Sequence, residues 1–381
     1  MMDFAPFMRH AVSLAEKGRW TAAPNPTVGA VLVQNGQIVA EGWHAVCGQK
    51  HAEIACLDDA RHKGVDPSLC TLFVTLEPCN HTGKTPPCAK AVLEAGIRHV
   101  VIGMKDPNPT AAGGAAFLAE HGVRVDGPVE ERLCRDLVAD FIVWQTARRP
   151  YVILKMAETI DGRIAARSGH SQWISCEESR REVHKLRAGT GLAGGAVLVG
   201  GNTLLADNPL LTARDVPVVR QPLACALSSR IPTKPLRLFH ERPEETIFFT
   251  SAASAASTKA EALRRQGVRI IGLNEWDIPG GRDLAQMMLW LWNEAGCRYV
   301  LCEGGGTLGQ SLLRAGLVDE FRLFICPKIL GDNQASPLFD GRAPLTMDEA
   351  LGMRIANVKM TDSDCCLTLR PLCEDGSCSQ D

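Results

Sequence analysis

The chain has 381 residues, with 41 Lys and Arg against 43 Asp and Glu and a formal net charge of −2. This length predicts two domains, each large enough to bury its own core. Balanced charge without a basic stripe weighs against a nucleic-acid binder, and no apolar run approaches the roughly 18 residues of a membrane span.

In chain order, residues 2–19 alternate apolar and charged side chains at helical spacing and lack a signal-peptide core. The run Pro24-Asn25-Pro26-Thr27-Val28-Gly29 precedes a strand over residues 30–33, and Asn35-Gly36 leads into a second over 37–40. Asn-Gly between two apolar runs predicts a hairpin. Residues 52–60 read as the start of a helix, 72–76 as a short buried strand ending at Glu77-Pro78, 89–96 as a helix closed by a glycine, and 99–103 as a strand. That order predicts one mixed sheet with helices on both faces. Residues 145–150, with two arginines and a proline, read as a junction.

A new strand opens at residues 151–156, followed by a charged helix from Glu177 to about Arg187. Two further strands end in glycine-rich turns: residues 196–199 run into Gly200-Gly201-Asn202-Thr203, and 298–302 into Glu303-Gly304-Gly305-Gly306-Thr307, before a helix over 308–314. Strand, glycine turn and helix is how α/β proteins hold phosphates, because bare helix N–H groups and close backbone approach favour an anion. Neither turn matches the standard dinucleotide fingerprint.

The chemistry of the first half lies in His51-Ala52-Glu53, Pro78-Cys79 and Cys88. Zinc-dependent nucleobase deaminases hold the metal with one His and two Cys, and a Glu two residues after the His moves protons. Here eight residues separate the two cysteines instead of the usual two. A closed structural zinc site would need a fourth ligand, and His81 and Cys70 are near in sequence. A carboxylate beside the ligand has no use in such a site, which favours catalysis. The two helix starts, facing one another across a strand end, would bring the three ligands together.

The 15 cysteines are odd in number and scattered, unlike a secreted disulfide scaffold. A cytoplasmic protein follows, with most of them acting as small buried apolar side chains. Cys365, Cys366, Cys373 and Cys378 crowd the C-terminus, where a second metal site and a solvated tail with incidental thiols both fit. Glu374-Asp375-Gly376-Ser377 favours the tail, so 373–381 is expected to be disordered.

These residues carry a resemblance to a known family. The whole chain, from about residue 5 to 370, resembles the bifunctional riboflavin-biosynthesis enzymes, a pyrimidine deaminase fused to a 5-amino-6-(5-phosphoribosylamino)uracil reductase. The first half matches through Pro24-Asn25-Pro26, Val28-Gly29, His51-Ala52-Glu53, Thr75-Leu76-Glu77-Pro78-Cys79, Thr85-Pro86-Pro87-Cys88 and Asp106-Pro107-Asn108-Pro109. The second half matches through Lys155, Asp161-Gly162, Ser171-Gln172-Trp173-Ile174, Leu186-Arg187-Ala188, Thr203 to Pro209, Glu303 to Leu308 and Pro327-Lys328-Ile329-Leu330-Gly331. Two departures stand out. The run Gly189 to Gly195 is a few residues longer than usual, and Ser228 replaces a customary Asp.

The resemblance implies an α/β protein. An N-terminal cytidine-deaminase-like αβα domain would span residues 1–147 and a C-terminal dihydrofolate-reductase-like α/β domain residues 148–372. It implies one zinc per chain, held by His51, Cys79 and Cys88, with Glu53 carrying protons in the hydrolytic deamination of a diaminopyrimidine ribotide, and Asn25 orienting that substrate. It implies NADPH in the second domain, delivering hydride to C1′ of the ribosyl group. Ala157, Ser171, Trp173, Thr203, Asp207 and the run Gly305-Gly306-Thr307-Leu308-Gly309-Gln310-Ser311 match cofactor positions. Arg187, Leu211, Arg214 and Glu303 match substrate positions, and the two arginines suit a 5′-phosphate because guanidinium offers paired donors to phosphate oxygens. A small-molecule substrate, no nucleic-acid or membrane partner, and a homo-oligomer complete the expectation.

Overall fold

The computed structural model describes residues 3–81, 86–274, 282–339 and 344–372. The chain divides into two compact units, Met1–Arg148 and Arg149–Asp381.

The first unit is built on five strands: β1 (Gly29–Gln34), β2 (Gln37–Trp43), β3 (Thr71–Val74), β4 (His99–Ile102) and β5 (Arg124–Asp126). Their order is β2-β1-β3-β4-β5. β1 runs antiparallel to β2 and β3, whereas β3, β4 and β5 are parallel, which is the mixed sheet expected. Asn35 and Gly36 both have positive φ, 51° and 76°, as a tight hairpin turn of the right twist requires. The N-terminal helix is Ala5–Ala15, shorter than the apolar–charged pattern, and buries Met8, Ala11, Leu14 and Ala15. β3 leaves the ladder two residues before the pattern ends. Thr75 N still donates to Gly29 O (3.0 Å) and Glu77 N to Met104 O (2.9 Å), so the approach to Cys79 stays anchored.

The second unit holds β6 (Tyr151–Thr159), β7 (Arg163–Ala165), β8 (Ala196–Gly200), β9 (Leu223–Leu227), β10 (Thr246–Ser251), β11 (Arg269–Leu273), β12 (Tyr299–Cys302), β13 (Glu320–Cys326), β14 (Ser336–Pro337), β15 (Met353–Thr361) and β16 (Asp364–Pro371). Nine of them form one sheet in the order β11-β10-β9-β8-β12-β6-β13-β16-β15, and β7 pairs with β14. From β11 to β13 every pairing is parallel; β16 and β15 close the edge antiparallel. Such a sheet needs both faces covered, so its central strands are continuously apolar. Val152, Leu154, Leu198, Val300 and Cys302 pack with Leu284, Met287, Met288 and Leu291, one stripe of the helix Arg282–Asn293.

In the second unit three helices differ from the sequence expectation. The charged helix continues to Leu192 because Gly189, Thr190 and Gly191 are buried in its last turns. A helix Gly201–Asp207 starts directly after β8, so Thr203 sits in a first turn instead of a loop. The helix after β12 begins at Gly306, with Gly305 as its cap residue. Cys365 and Cys366 are successive strand residues, so their side chains leave opposite faces of β16. Residues 373–381, including Cys373 and Cys378, lie outside the described residues. Among the described residues no helix is long and apolar enough to cross a membrane.

Candidate active sites

In the first unit His51 occupies the cap position of the helix Ala52–His62, and Cys88 is the first residue of the helix Cys88–Glu94. Cys79 lies in the loop after β3. His51 Nδ1 is 3.3 Å from Cys88 Sγ and 3.7 Å from Cys79 Sγ, and all three ligand atoms lie within 4.8 Å of one another. Tetrahedral zinc with ordinary bond lengths separates a nitrogen and a sulfur ligand by about 3.5 Å, so the donor set fits. Among the described residues no fourth metal-ligating side chain joins the cluster, which favours a site with an open position over a closed structural one. The Cys88 thiol and the His51 ring beside Cys79 hold its thiol well below the ordinary value, while the same bond and burial push Cys88 up. Glu53 is 4 % exposed. Burial, then the charge of Cys79, pushes its carboxyl up to about 7, where it both accepts and returns a proton near neutrality.

A cleft of about 460 Å³ opens over this cluster, lined among others by Asn25, His44, Asp106 and Asn108. His44, absent from the sequence reading, is buried. Its Nδ1 donates to Lys50 O (2.9 Å), leaving Nε2 to accept from Asn25 Nδ2 (3.1 Å). Burial lowers its pKa, in keeping with a neutral ring. The Asn25 side chain thus bonds a distant histidine, not the local turn. Asp106 is pushed up to about 6, chiefly by burial. The Glu77 carboxylate accepts from Asp106 N (3.1 Å), Gly113 N (3.1 Å) and Ala115 N (2.9 Å), which binds the loop bearing Asp106 and Asn108 to the residues preceding Cys79. The Asp-Pro-Asn-Pro motif was the visible signal for Asp106; nothing local marks His44.

In the second unit β8 and β12 are adjacent and parallel, so the two glycine turns sit side by side at their C-terminal ends, where α/β sheets bind ligands. Gly305 N donates to Thr203 Oγ1 (3.2 Å), joining them. The cap residue Gly305 makes no side-chain bond to the helix start, and a Cβ on Gly306 would strike Leu338 O. Gly306 is thus required by the chain's own packing, and it is the uncapped helix start that fits a phosphate. Ala157 lies on β6, and Asp207 ends the helix that carries Thr203. Ser171 and Trp173 belong to the loop before the helix Glu177–Leu192. Trp173 is 59 % exposed, with the Arg180 guanidinium 4.5 Å from its ring centre. Ser228 follows β9 directly and packs against Gly201.

Arg187 and Glu303 form one bidentate pair, Nε–Oε1 2.6 Å and Nη2–Oε2 2.8 Å, with Arg187 Nη1 donating to Thr212 O (2.9 Å). Three of the five guanidinium N–H groups are thereby committed and two remain for a ligand. Burial works to raise the Glu303 carboxyl, yet Arg187, with Lys155 nearby, holds it below the ordinary value. Lys155, half-buried on β6 beside this pair, has its amine lowered, first by desolvation. Arg214 is different: its side chain is 61 % exposed. Leu211 is buried with φ +55°. Asp161 accepts from Thr159 Oγ1 (2.6 Å) and from the N–H groups of Leu330 and Gly331 (3.1 and 2.8 Å), so two of the resemblance motifs are one loop staple.

A His-Cys-Cys cluster with a buried carboxylate on a mixed sheet, and glycine turns on a second parallel sheet, define a class: a zinc-binding deaminase region joined to a reductase domain. Residues 2–104 match the cytidine and deoxycytidylate deaminase zinc-binding region, and residues 150–367 match the RibD C-terminal domain. The riboflavin biosynthesis protein RibD of Aquifex aeolicus is 39 % identical over 86 % of this chain and 87 % of its own length; that of Escherichia coli is 35 % identical over 86 % and 88 %. A crystal structure of a diaminohydroxyphosphoribosylaminopyrimidine deaminase/5-amino-6-(5-phosphoribosylamino)uracil reductase from Thermotoga maritima is similar with a TM-score of 0.76 at 35 % identity, covering 97 % of this chain and 99 % of that one. Acinetobacter baumannii RibD gives 0.73 at 32 %, covering 97 % and 99 %. The chain belongs to the RibD family of riboflavin biosynthesis proteins. It is a bifunctional enzyme, a hydrolase through its deaminase domain and an oxidoreductase through its reductase domain.

Proposed function

We propose that the first unit deaminates 2,5-diamino-6-(5-phosphoribosylamino)pyrimidin-4(3H)-one and that the second reduces the ribosyl group with NADPH to 5-amino-6-(5-phosphoribitylamino)uracil. The observation that carries the first step is the convergence of His51, Cys79 and Cys88 beside the buried Glu53. Zinc bound by these three supplies a Lewis acid that acidifies water toward neutrality. Glu53 takes one water proton and delivers it to the ring nitrogen as the oxygen adds to the amino-bearing carbon, then carries the second proton, from that new hydroxyl, to the amino group as the C–N bond breaks and ammonia leaves. Asn25, oriented by His44, presents its carboxamide to the pyrimidine. In the second unit Thr203 and the Gly305–Ser311 segment hold the cofactor phosphates, with Ala157, Ser171, Trp173 and Asp207 along its remaining length, and NADPH supplies the hydride. Leu211 and Arg214 take the ribotide, Arg214 through its exposed guanidinium. Glu303 and Arg187 act as a pair, with two N–H groups of Arg187 free for the phosphate. A thiolate pair that must stay reduced supports a cytoplasmic location.

One variant tests this division. Cys79→Ser is expected to remove the zinc, read by metal analysis, and with it deamination. Reduction of the pre-deaminated ribotide and NADPH binding should remain, because their residues lie in the other unit. Loss of both activities in a folded protein would contradict the assignment.

We also propose a homo-oligomer. Ile355, Val358 and Met360 are 59, 57 and 65 % exposed on β15 and lie across from Leu369, Leu367 and Cys365 of β16. An apolar sheet face of this kind suits a second copy. Val358→Lys is expected to lower the mass measured by light scattering; an unchanged mass would place the contact elsewhere.

A further inference from the structure

We propose that Gln221 is a positioning residue for the reductase substrate. Its carboxamide fixes the backbone of the segment that carries Leu211 and Arg214, and the proposal rests on the assignment of those two residues to the ribotide.

Residues 208–214 belong to no helix or strand, so their backbone groups need partners from elsewhere. Side chains from distant elements supply them. Gln221 Oε1 accepts from Ala213 N and Gln221 Nε2 donates to Ala213 O, both at 2.8 Å. This is the pair of bonds that a residue of a neighbouring strand would exchange. Arg242 Nη1 donates to Leu210 O (2.7 Å), Arg187 Nη1 to Thr212 O (2.9 Å), and Arg214 N donates to His184 Nδ1 (3.4 Å). Leu211 is held at φ +55°, a conformation that L side chains rarely adopt. The segment is therefore kept in place against its own preference.

Gln221 is itself anchored. Pro222 O, next in the chain, accepts from Arg242 Nη2 (2.8 Å). Gly191, within the long glycine run, lets this stretch lie against the helix Glu177–Leu192, since a Cβ there would meet Arg220 O and Pro222 N. Arg187 and His184 contribute from that same helix. Gln221 bonds both backbone polar groups of Ala213, one residue from Arg214 and two from Leu211. Both ends of its carboxamide are engaged by Ala213, so it acts through the loop.

The test uses the full-length protein and the pre-deaminated ribotide. Gln221→Met keeps the length of the side chain and loses both bonds. It is expected to raise the ribotide KM about tenfold, with kcat and the NADPH Kd within about twofold of wild type. An equal loss in NADPH affinity would overturn the proposal. Gln221→Glu adds a pH signature. The carboxylate cannot donate to Ala213 O, whereas the protonated acid offers one donor and one acceptor as the amide does. Its KM, relative to wild type at the same pH, is expected to recover as pH falls toward the carboxyl range, which a spacer role would not produce. Arg214→Ala, run in parallel, should raise KM about tenfold to a hundredfold. If it does so and Gln221→Met does not, Gln221 has no positioning role. If neither changes KM, the substrate assignment itself fails and the proposal falls with it. If Gln221→Met does not fold, the Gln221→Glu series decides: recovery supports the proposal and its absence overturns it.

Discussion

Replacing Glu53 by Gln is expected to lower the rate of deamination by about 10²–10⁴-fold, the usual contribution of a general acid–base group, while zinc stays bound. Glu53 sits two residues after the ligand His51 and is buried, but the metal-ligating cluster closes without it. The amide preserves the shape and removes the basic oxygen. Its carboxyl is raised to about 7, first by burial, so a neutral side chain at this position carries little additional desolvation cost and the variant should fold normally. The measurement is kcat on the diaminopyrimidine ribotide together with metal content. Zinc falling in step with activity would make Glu53 a ligand and overturn its role as proton carrier.

Arg187→Ala is expected to cost about 3–5 kcal/mol of stability at neutral pH, because it strands the Glu303 carboxylate in the interior without its partner. The two side chains are only 14 and 11 % exposed and meet at two short contacts. Reductase activity should fall as well, so kinetics alone cannot separate support from substrate contact in this variant. Denaturant melts of Arg187→Ala, Glu303→Gln and the double variant separate them. The double variant should lose less than the sum of the two, by the coupling energy of the pair. Arg214→Ala, at an exposed position, should melt like wild type. The deficit should also depend on pH. The pair holds Glu303 below its ordinary value of 4.5, so its contribution is present above that value and is lost as pH falls through the lower folded value. A melt of Arg187→Ala indistinguishable from wild type at pH 7 would mean that the pair contributes nothing to the fold.

Much of the metal site was written locally in the sequence. His51, Glu53 and Cys88 are set by where two helices begin, and capping positions and short apolar runs are features of neighbouring residues. The hairpin at Asn35-Gly36 is likewise a two-residue signal, and the observed turn follows it. Family motifs carried the assignment of both halves. Other features had no local signature. Neither the pairing of His44 with Asn25 nor that of Arg187 with Glu303 could be read from spacing, since 19 and 116 residues separate the partners. Two arginines that looked equivalent as phosphate ligands proved unlike: one is spent largely inside the protein and the other faces solvent. The order of the nine-stranded sheet was also hidden, because a strand buried on both faces is uniformly apolar and says nothing about its neighbours. The sequence by itself determined which residues are candidates for the chemistry and, for the metal site, where the two helices that bear His51 and Cys88 start. The tertiary structure alone decided which buried charges meet, which donors remain free for a ligand, and that Gln221 stands in for a missing strand beside Ala213, since each of these depends on groups brought together only when the chain is packed.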